Sequence, residues 1–418
     1  MVLLLMAINT TRAVLSIGTA LLAVLTLWHL IRSGWSLPAN RANDRRLAAV
    51  ISSLFGLALL SGLNTDSVPT WLADLYAKLP LLLLPWAVAL LPRFSAWQRS
   101  VLALSYLGVQ TLVALVSLVV AALQYEAVID EVKRNASVGV ITGSSHIYFG
   151  LSLAFAACLG LWWFVQQQRP HPSQPAPREV LLRGERWLFL ALGLVDFLAL
   201  HLFTSRTGLT ALYAGLALGG LVYLIQQRAW RLGLALLLVL MLTPILAFYL
   251  VPSFRIRVEV TRWDFQQYQR PEADLTYNSA SLRLLAWETA AELIARHPLT
   301  GVGLSDVKDE MAQQYTRNGA LERAERPLDD PHNLYLHYLV GAGVGALLWL
   351  LVVLAYPLWQ TRGPTLVLMA CLIGAIGVAM LFESVLQRQI GMSFLALFYL
   401  LIPQFGEPFD ASPPAQAP

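Results

Sequence analysis

The sequence predicts an all-α polytopic integral membrane protein, because 57% of its 418 residues are hydrophobic and only 13% are charged. The mean hydropathy of +0.60 is too high for a soluble fold of this length. Apolar runs of about 17 to 25 residues, each long enough to cross a bilayer as a helix, predict 11 to 12 spans. Eleven of these runs lie near residues 13–31, 47–63, 76–91, 101–123, 146–166, 187–205, 208–226, 232–251, 334–358, 365–382 and 389–403.

The orientation of the spans follows from the basic residues of the short loops, because Lys and Arg are retained on the cytoplasmic side. The loops on one side of the predicted bundle carry thirteen basic residues, whereas the connections on the opposite side, counted together with Lys78 near the start of the third span, carry six. This asymmetry places the polar segment 252–333 on the outer side. Eleven spans place the N-terminus outside, and the first run lacks the basic region and the cleavage site of a secretory signal.

Cysteine usage and charge exclude several classes of function. The two cysteines, Cys158 and Cys371, lie inside apolar runs, so neither a disulfide framework nor a thiolate metal site is expected. The net charge of +4 comes from cytoplasmic loops and is not gathered into a basic patch with interleaved aromatic residues. We therefore expect no nucleic-acid partner.

The distribution of charge divides the chain into four regions. Residues 1–251 are predicted to form an N-terminal transmembrane bundle, and residues 334–405 the C-terminal transmembrane helices. Between them, residues 252–333 carry ten basic and thirteen acidic side chains and are predicted to form one large outer loop domain. Residues 406–418 are rich in Pro and Ala and are predicted to be a disordered tail.

Two amphipathic helices are predicted in the outer segment. The first runs from Ser281 to His297, capped by Asn278 or Ser279, and ends before Pro298. The second begins near Ser305 and runs to about Arg317. The apolar stripe of the first helix is predicted to comprise Leu284, Trp287, Ala291 and Ile294.

His332 is the strongest candidate for catalysis. The sequence Asp330-Pro331-His332 lies where the polar segment meets an apolar run. This predicts Asp330 as a helix N-cap, Pro331 as the first helical residue and His332 in the first turn. An imidazole facing water at the membrane surface is suited to act as a general base, although it could also serve only to stabilise the helix end. His337, five residues later, diverges by about 140° on a helix, so the two histidines are not expected to share one site.

Two arginines on the outer side are candidate anion ligands. Arg206 interrupts two adjacent apolar runs, and Arg283 begins the first outer helix. A guanidinium near the bilayer suits a phosphate or pyrophosphate, which it can bind bidentately. The alternative for Arg206 is an interfacial side chain that reaches the lipid headgroups. A cation site at Asp329 and Asp330 has weaker support, and no metal site is predicted.

Taken together, these signals resemble the O-antigen ligase family, within the wider superfamily of ligases and O-antigen polymerases. The resemblance covers essentially the whole chain, and its motifs follow one another in order. They are Ser205-Arg206-Thr207-Gly208, Ser281 to Arg283 with Trp287, His297 to Gly303, and Pro331-His332-Asn333 followed by Gly341 and Gly343. The two downstream glycines are expected to permit close helix packing.

The resemblance implies a GT-C-like multi-span inverting glycosyltransferase of the bacterial inner membrane, with its active site facing the periplasm. The implied donor is O-antigen linked to undecaprenyl pyrophosphate, and the implied acceptor is a hydroxyl of the lipid A-core oligosaccharide, both among membrane lipids and without a cofactor or metal. In this interpretation His332 is the catalytic base, and Arg206 and Arg283 bind the pyrophosphate. The supporting positions are Asn333, Ser205, His337, Glu383 and Arg388.

Other functions are alternatives to this interpretation. An O-antigen polymerase would use similar residues with a different acceptor, but such proteins tend to have two large outer loops, and this chain has one. A protein-glycosylating ligase is disfavoured because no folded domain is predicted after the last span. A transporter or flippase of lipid-linked glycans should carry charged or broken helices at mid-membrane, where Asp196 and His201 are the main polar exceptions.

Overall fold

The computed structural model describes residues 1–8, 12–35, 41–126, 130, 139–166, 177–203, 205–228 and 230–406. The predicted tail, apart from Gly406, lies outside these residues. Every regular element of the described part of the chain is a helix. The α-helices are α1 (Val2–Ala7), α2 (Arg12–Arg32), α3 (Ala42–Leu60), α4 (Val68–Leu90), α5 (Ala96–Leu123), α6 (His146–Gln166), α7 (Pro177–Phe203), α8 (Arg206–Gln227), α9 (Trp230–Leu250), α10 (Pro252–Tyr268), α11 (Ser279–Arg296), α12 (Val307–Arg317), α13 (Leu334–Gln360), α14 (Pro364–Ala379) and α15 (Gln389–Phe405).

The all-α membrane architecture predicted from the sequence is confirmed. Nine of the described helices are long and apolar enough to cross a membrane, and α14 and α15 are shorter apolar helices. Each of the eleven predicted apolar runs therefore corresponds to a helix. The apolar N-terminal residues form α1, which has only six residues and buries Leu4 and Leu5 against the bundle.

The outer segment contains a helix that the sequence analysis did not predict. Helix α10 spans Pro252–Tyr268 and packs against α11. Its first half, Arg255 to Val260, alternates between charged and apolar residues. This alternation is typical of a strand, so the segment lacks the period of 3.6 residues by which an amphipathic helix is predicted. The segment therefore has three α-helices rather than two.

The predicted apolar stripe of α11 is wrong. The buried apolar residues of α11 are Leu282, Leu285, Ala286, Ala290 and Leu293, and they join a cluster with residues of α12. Ala291 is exposed, and Leu284, Trp287 and Ile294 are only partly buried. The buried face is displaced because α11 packs against α10, α12 and α13 together instead of lying with one stripe on the membrane surface.

Helix α13 is broken at Gly343, where φ is 73° and ψ is −173°. The backbone of the outer segment enters this break: Val302 N donates to Val340 O at 2.9 Å and Val344 N donates to Pro298 O at 3.0 Å. A Cβ atom on Gly301 would collide with the backbone of Gly341. The glycines do permit close packing as predicted, but their partner is a loop and not a helix. These contacts attach the outer segment directly to the first half of α13.

Candidate active site

His332 precedes α13 and is not part of its first turn. Asn333 is the N-cap of α13, and its side-chain oxygen accepts hydrogen bonds from Tyr335 N at 3.0 Å and Leu336 N at 3.1 Å. The predicted N-cap role of Asp330 is therefore wrong. His332 has a left-handed backbone conformation with φ of 46°, and its N–H donates to Asp330 Oδ1 at 2.8 Å.

The imidazole of His332 pairs with the carboxylate of Glu383. His332 Nδ1 lies 3.0 Å from Glu383 Oε2, and the side chains are 24% and 8% exposed. A proton on Nδ1 is donated to this carboxylate, which leaves the Nε2 lone pair available to accept a proton. The arrangement matches the way in which a carboxylate orients and supports a histidine base in hydrolases.

His337 joins the same network, contrary to the expectation that it lies apart from His332. Its Nδ1 is 2.7 Å from Asp330 Oδ2, and Asp330 Oδ1 accepts from His332 N and from Ser384 Oγ. The carboxylate of Asp330 therefore connects His337 with the backbone of His332. Burial raises the pKa of Asp330, but interactions with the imidazole of His337, the hydroxyl of Ser384 and the nearby His332 outweigh it and hold the pKa well below its ordinary value.

Three arginines lie at this end of the bundle, and two of them are within electrostatic range of Arg206. Arg206 Nη1 donates to Thr261 Oγ1 of α10 at 2.8 Å. Arg283 Nε donates to Phe382 O at 3.2 Å, beside Glu383. The third arginine is Arg257 of α10, which is buried and acts electrostatically on Arg206.

Arg257 was not among the predicted site residues, because α10 was not predicted. A signal was present: Arg257, Thr261 and Asp264 are spaced i, i+4 and i+7 and so share one helix face. Thr261 Oγ1 donates to Arg257 O at 2.7 Å. Asp264 also fixes α11, since its Oδ2 accepts from Ala280 N at 3.1 Å at the first turn of that helix.

Burial makes the charges of these arginines costly. It lowers the pKa of Arg257, and the nearby carboxylate of Asp264 raises it in part. Burial also lowers the pKa of Arg283, which the charges of Glu383 and Asp264 partly restore. Partly desolvated guanidinium groups gain more from an anionic ligand than solvated ones do.

Residues 188–351 match the model of a protein family described as O-antigen ligase. The matched segment, residues 188–351, resembles a domain of this family. The resemblance drawn from the sequence motifs is thereby confirmed at the level of the family, whose members are glycosyltransferase-like enzymes. No curated protein matches the chain. The matched O-antigen ligase region contains the three arginines, His332 and His337, whereas Glu383 lies beyond it.

A further residue at this end of the bundle was not predicted from the sequence. His146 is the first residue of α6 and is exposed. It lies within electrostatic range of Arg206, Arg257, Arg283 and Glu383. His146 was not predicted as a site residue because it is far in sequence from the other motifs.

The structure shows the partners of three predicted supporting residues: Ser205, Asn333 and Arg388. Ser205 is the N-cap of α8: its Oγ accepts from Gly208 N at 3.3 Å and donates to His146 O at 3.2 Å. It thereby positions Arg206. The side-chain oxygen of Asn333 is occupied by helix capping and does not orient the imidazole. Arg388 is exposed at the start of α15 and makes no hydrogen bond or ion pair with the other site residues that the structure describes.

The two neighbouring aspartates of this candidate site face different partners. Asp329 Oδ2 is 2.7 Å from Lys308 Nζ at the surface, whereas the oxygens of Asp330 accept from His332, His337 and Ser384. Among the residues that the structure describes, no group of three or more His, Cys, Asp or Glu is arranged to hold a metal ion.

Proposed function

We propose that the protein is an O-antigen ligase that transfers O-antigen from undecaprenyl pyrophosphate to a sugar hydroxyl of lipid A-core. The observation that carries the proposal is the pairing of His332 with Glu383 at the end of the bundle where Arg206, Arg257 and Arg283 converge. A base beside several cations is what transfer from a lipid pyrophosphate requires. The family match supports the broader class of enzyme.

The proposed reaction is a single displacement. His332 Nε2 removes the proton from the acceptor hydroxyl, and the sugar oxygen forms a bond to the anomeric carbon of the donor. The bond between that carbon and the pyrophosphate oxygen breaks, and its electron pair leaves with undecaprenyl pyrophosphate. Attack from the face opposite the leaving group inverts the configuration. General-base catalysis of this kind contributes about 10²- to 10⁴-fold to the rate.

The arginines are proposed to bind the donor and to stabilise its departure. Charge develops on the bridging oxygen of the pyrophosphate as the glycosidic bond breaks, and preorganised cations lower the free energy of that transition state. Arg206 and Arg283 were identified from the sequence, and Arg257 joins them here as a proposed ligand. Guanidinium groups suit a pyrophosphate because they donate two parallel hydrogen bonds.

The proposed location is the periplasmic face of the bacterial inner membrane. The excess of basic residues in the alternate loops supports this orientation. Arg206 begins α8 and His146 begins α6, and the loop of His332 precedes α13. The site groups therefore lie at helix N-termini, whose positive dipoles favour an anionic ligand.

An in vitro transfer assay tests the proposal. Purified protein is mixed with a glycan linked to undecaprenyl pyrophosphate and with lipid A-core, in EDTA. The expected product is glycan attached to lipid A-core, formed by the wild type and not by His332→Ala. Longer lipid-linked chains would identify a polymerase instead. Restoration of activity by divalent ions after a loss in EDTA would show that the reaction needs a metal.

A further inference from the structure

A buried chain of polar side chains leads from the turn of His332 into the membrane-spanning part of the bundle. It begins at Asp330, which is buried and contacts His337. His337 Nε2 is 2.7 Å from Gln387 Nε2, and Lys78 Nζ is 3.2 Å from Gln387 Oε1. Lys78 lies inside α4, is buried and forms an ion pair with Asp74. An ionisable side chain within a membrane helix is retained at a cost and commonly has a functional role.

The chemistry of Lys78 fixes the direction of every hydrogen bond in this chain. An ammonium group only donates, so Gln387 presents its oxygen to Lys78 and its NH₂ group to His337. His337 Nε2 must then accept, and the proton of the neutral imidazole lies on Nδ1. Nδ1–H donates to Asp330 Oδ2. All three donors point from Lys78 towards Asp330, which is consistent with a carboxylate at that end.

The carboxylate of Asp330 in turn holds the turn of His332. Its Oδ1 accepts from His332 N, and the left-handed φ of 46° at His332 needs such support because a side chain makes this conformation unfavourable. Asp330 makes no hydrogen bond with the imidazole of His332, which is bound to Glu383. Its influence on the base is therefore exerted through the backbone and through its charge.

Building on the proposed ligase function, we propose that Asp330 is a positioning residue for His332, and that the donor chain from Lys78 through Gln387 and His337 keeps it charged. Several other groups influence the protonation of Asp330 and of the pair formed by His332 and Glu383. Lys78 and Tyr315 interact electrostatically with Asp330, and Arg283 and His146 with Glu383, the partner of His332.

The adjacent carboxylates offer a matched pair of variants. Asp330→Asn keeps the shape of the side chain and removes its charge. Asp329→Asn makes the same change one residue earlier, where the side chain is 66% exposed and pairs with Lys308. Gln387→Met interrupts the series of hydrogen bonds between Lys78 and His337 without altering a charge. It also serves as the second variant if Asp330→Asn does not fold.

Transfer kinetics over a range of pH test the inference. Asp330→Asn is expected to lower kcat by about 10²-fold, the effect of misplacing a reacting group by about 1 Å. The KM for the donor should not change, and the acidic limb of the rate profile should move to lower pH because a negative charge near the base is lost. Gln387→Met should change the same quantities in the same direction. If both variants behave like Asp329→Asn, or raise KM and leave kcat intact, the inference is wrong.

A second measurement separates this inference from the proposed function. The rate at which diethyl pyrocarbonate modifies His332, followed by peptide mass spectrometry against pH, reports the neutral imidazole without any turnover. Its midpoint should move to lower pH in Asp330→Asn and stay in place in Asp329→Asn. No movement refutes the inference whether or not the wild type ligates. Absence of ligated product from the wild type, together with the expected movement, refutes only the proposed function.

Discussion

The Nδ1 atom of His332 lies 3.0 Å from Oε2 of Glu383, although 51 residues separate them in the sequence. His332 occupies the turn before α13, and Glu383 follows α14. The two residues meet because α13 and α14 run in opposite directions across the bundle. The carboxylate beside the proposed base therefore comes from a part of the chain beyond the matched family region.

Replacement of His332 is expected to have the largest effect on transfer. His332→Ala removes the proposed base, so kcat should fall by about 10²- to 10⁴-fold. The measurement is the initial rate of glycan attachment to lipid A-core at saturating donor. His29→Ala, in the last turn of α2, provides the control and should retain wild-type activity. Substantial turnover by folded His332→Ala would remove His332 from the role of base.

Glu383→Gln tests the orientation of the imidazole. The amide keeps a similar shape but loses the negative charge that stabilises a protonated His332. We expect kcat to fall by at least about tenfold, with a smaller effect than that of His332→Ala because the base itself remains. Glu383→Asp, which restores the charge at a greater distance, should recover part of the activity. Equal rates for Glu383→Gln and the wild type would leave the ion pair without a role in transfer.

The arginines are expected to act on donor binding as well as on the rate. Loss of one charged hydrogen-bond donor costs about 1.5 to 3 kcal/mol, which corresponds to about 10- to 100-fold. Arg206→Ala, Arg257→Ala and Arg283→Ala should each weaken binding of the lipid pyrophosphate by this amount, measured by titration with a labelled donor. Arg206→Lys should also bind the donor more weakly, because an ammonium group cannot form the two parallel hydrogen bonds of a planar guanidinium.

Arg317→Ala is the control for these variants. Arg317 is exposed on α12 and bonds to Gln313 within its own helix. It should bind the donor as the wild type does. A similar loss of affinity in Arg317→Ala would indicate general electrostatic attraction to the outer segment instead of a defined pyrophosphate site.

The break in α13 is expected to depend on Gly343. An added Cβ would collide with the backbone of Leu299, and φ of 73° with ψ of −173° is a conformation available essentially to glycine alone. Gly343→Ala should lower the free energy of unfolding by at least about 1 to 3 kcal/mol. Gly345→Ala, two residues later, places its Cβ in open space and should be neutral or slightly stabilising. Thermal melting of both variants in detergent provides the comparison.

Asp330 is expected to stabilise the fold in a pH-dependent way. Its pKa in the folded protein lies below the ordinary value of 3.8, so the carboxylate contributes stability above that value and loses it as the pH falls towards the folded pKa. The difference in Tm between the wild type and Asp330→Asn should therefore be constant near neutral pH and shrink below pH 3.8. A difference that grows on acidification would contradict the assignment.

Much of the membrane architecture could be predicted because it depends on local composition. A run of apolar residues of sufficient length forms a helix in the bilayer whatever its neighbours are, since the backbone must satisfy its own hydrogen bonds there. This is why all eleven runs appear as helices. Helices α10 and α11 of the segment 252–333 were harder to predict. Helix α10 alternates in polarity, and the buried face of α11 depends on three packing partners.

The sequence by itself determined the class of protein, its spans and the candidates Arg206, Arg283 and His332, since each is marked by its position at a boundary between polar and apolar residues. Only the tertiary structure decided which side chains meet them. The pairing of His332 with Glu383, the addition of Arg257 and the chain from Lys78 to Asp330 join residues that are distant in sequence. Their physical cause is the packing of separate helices, and the spacing of residues along one segment carries no information about it.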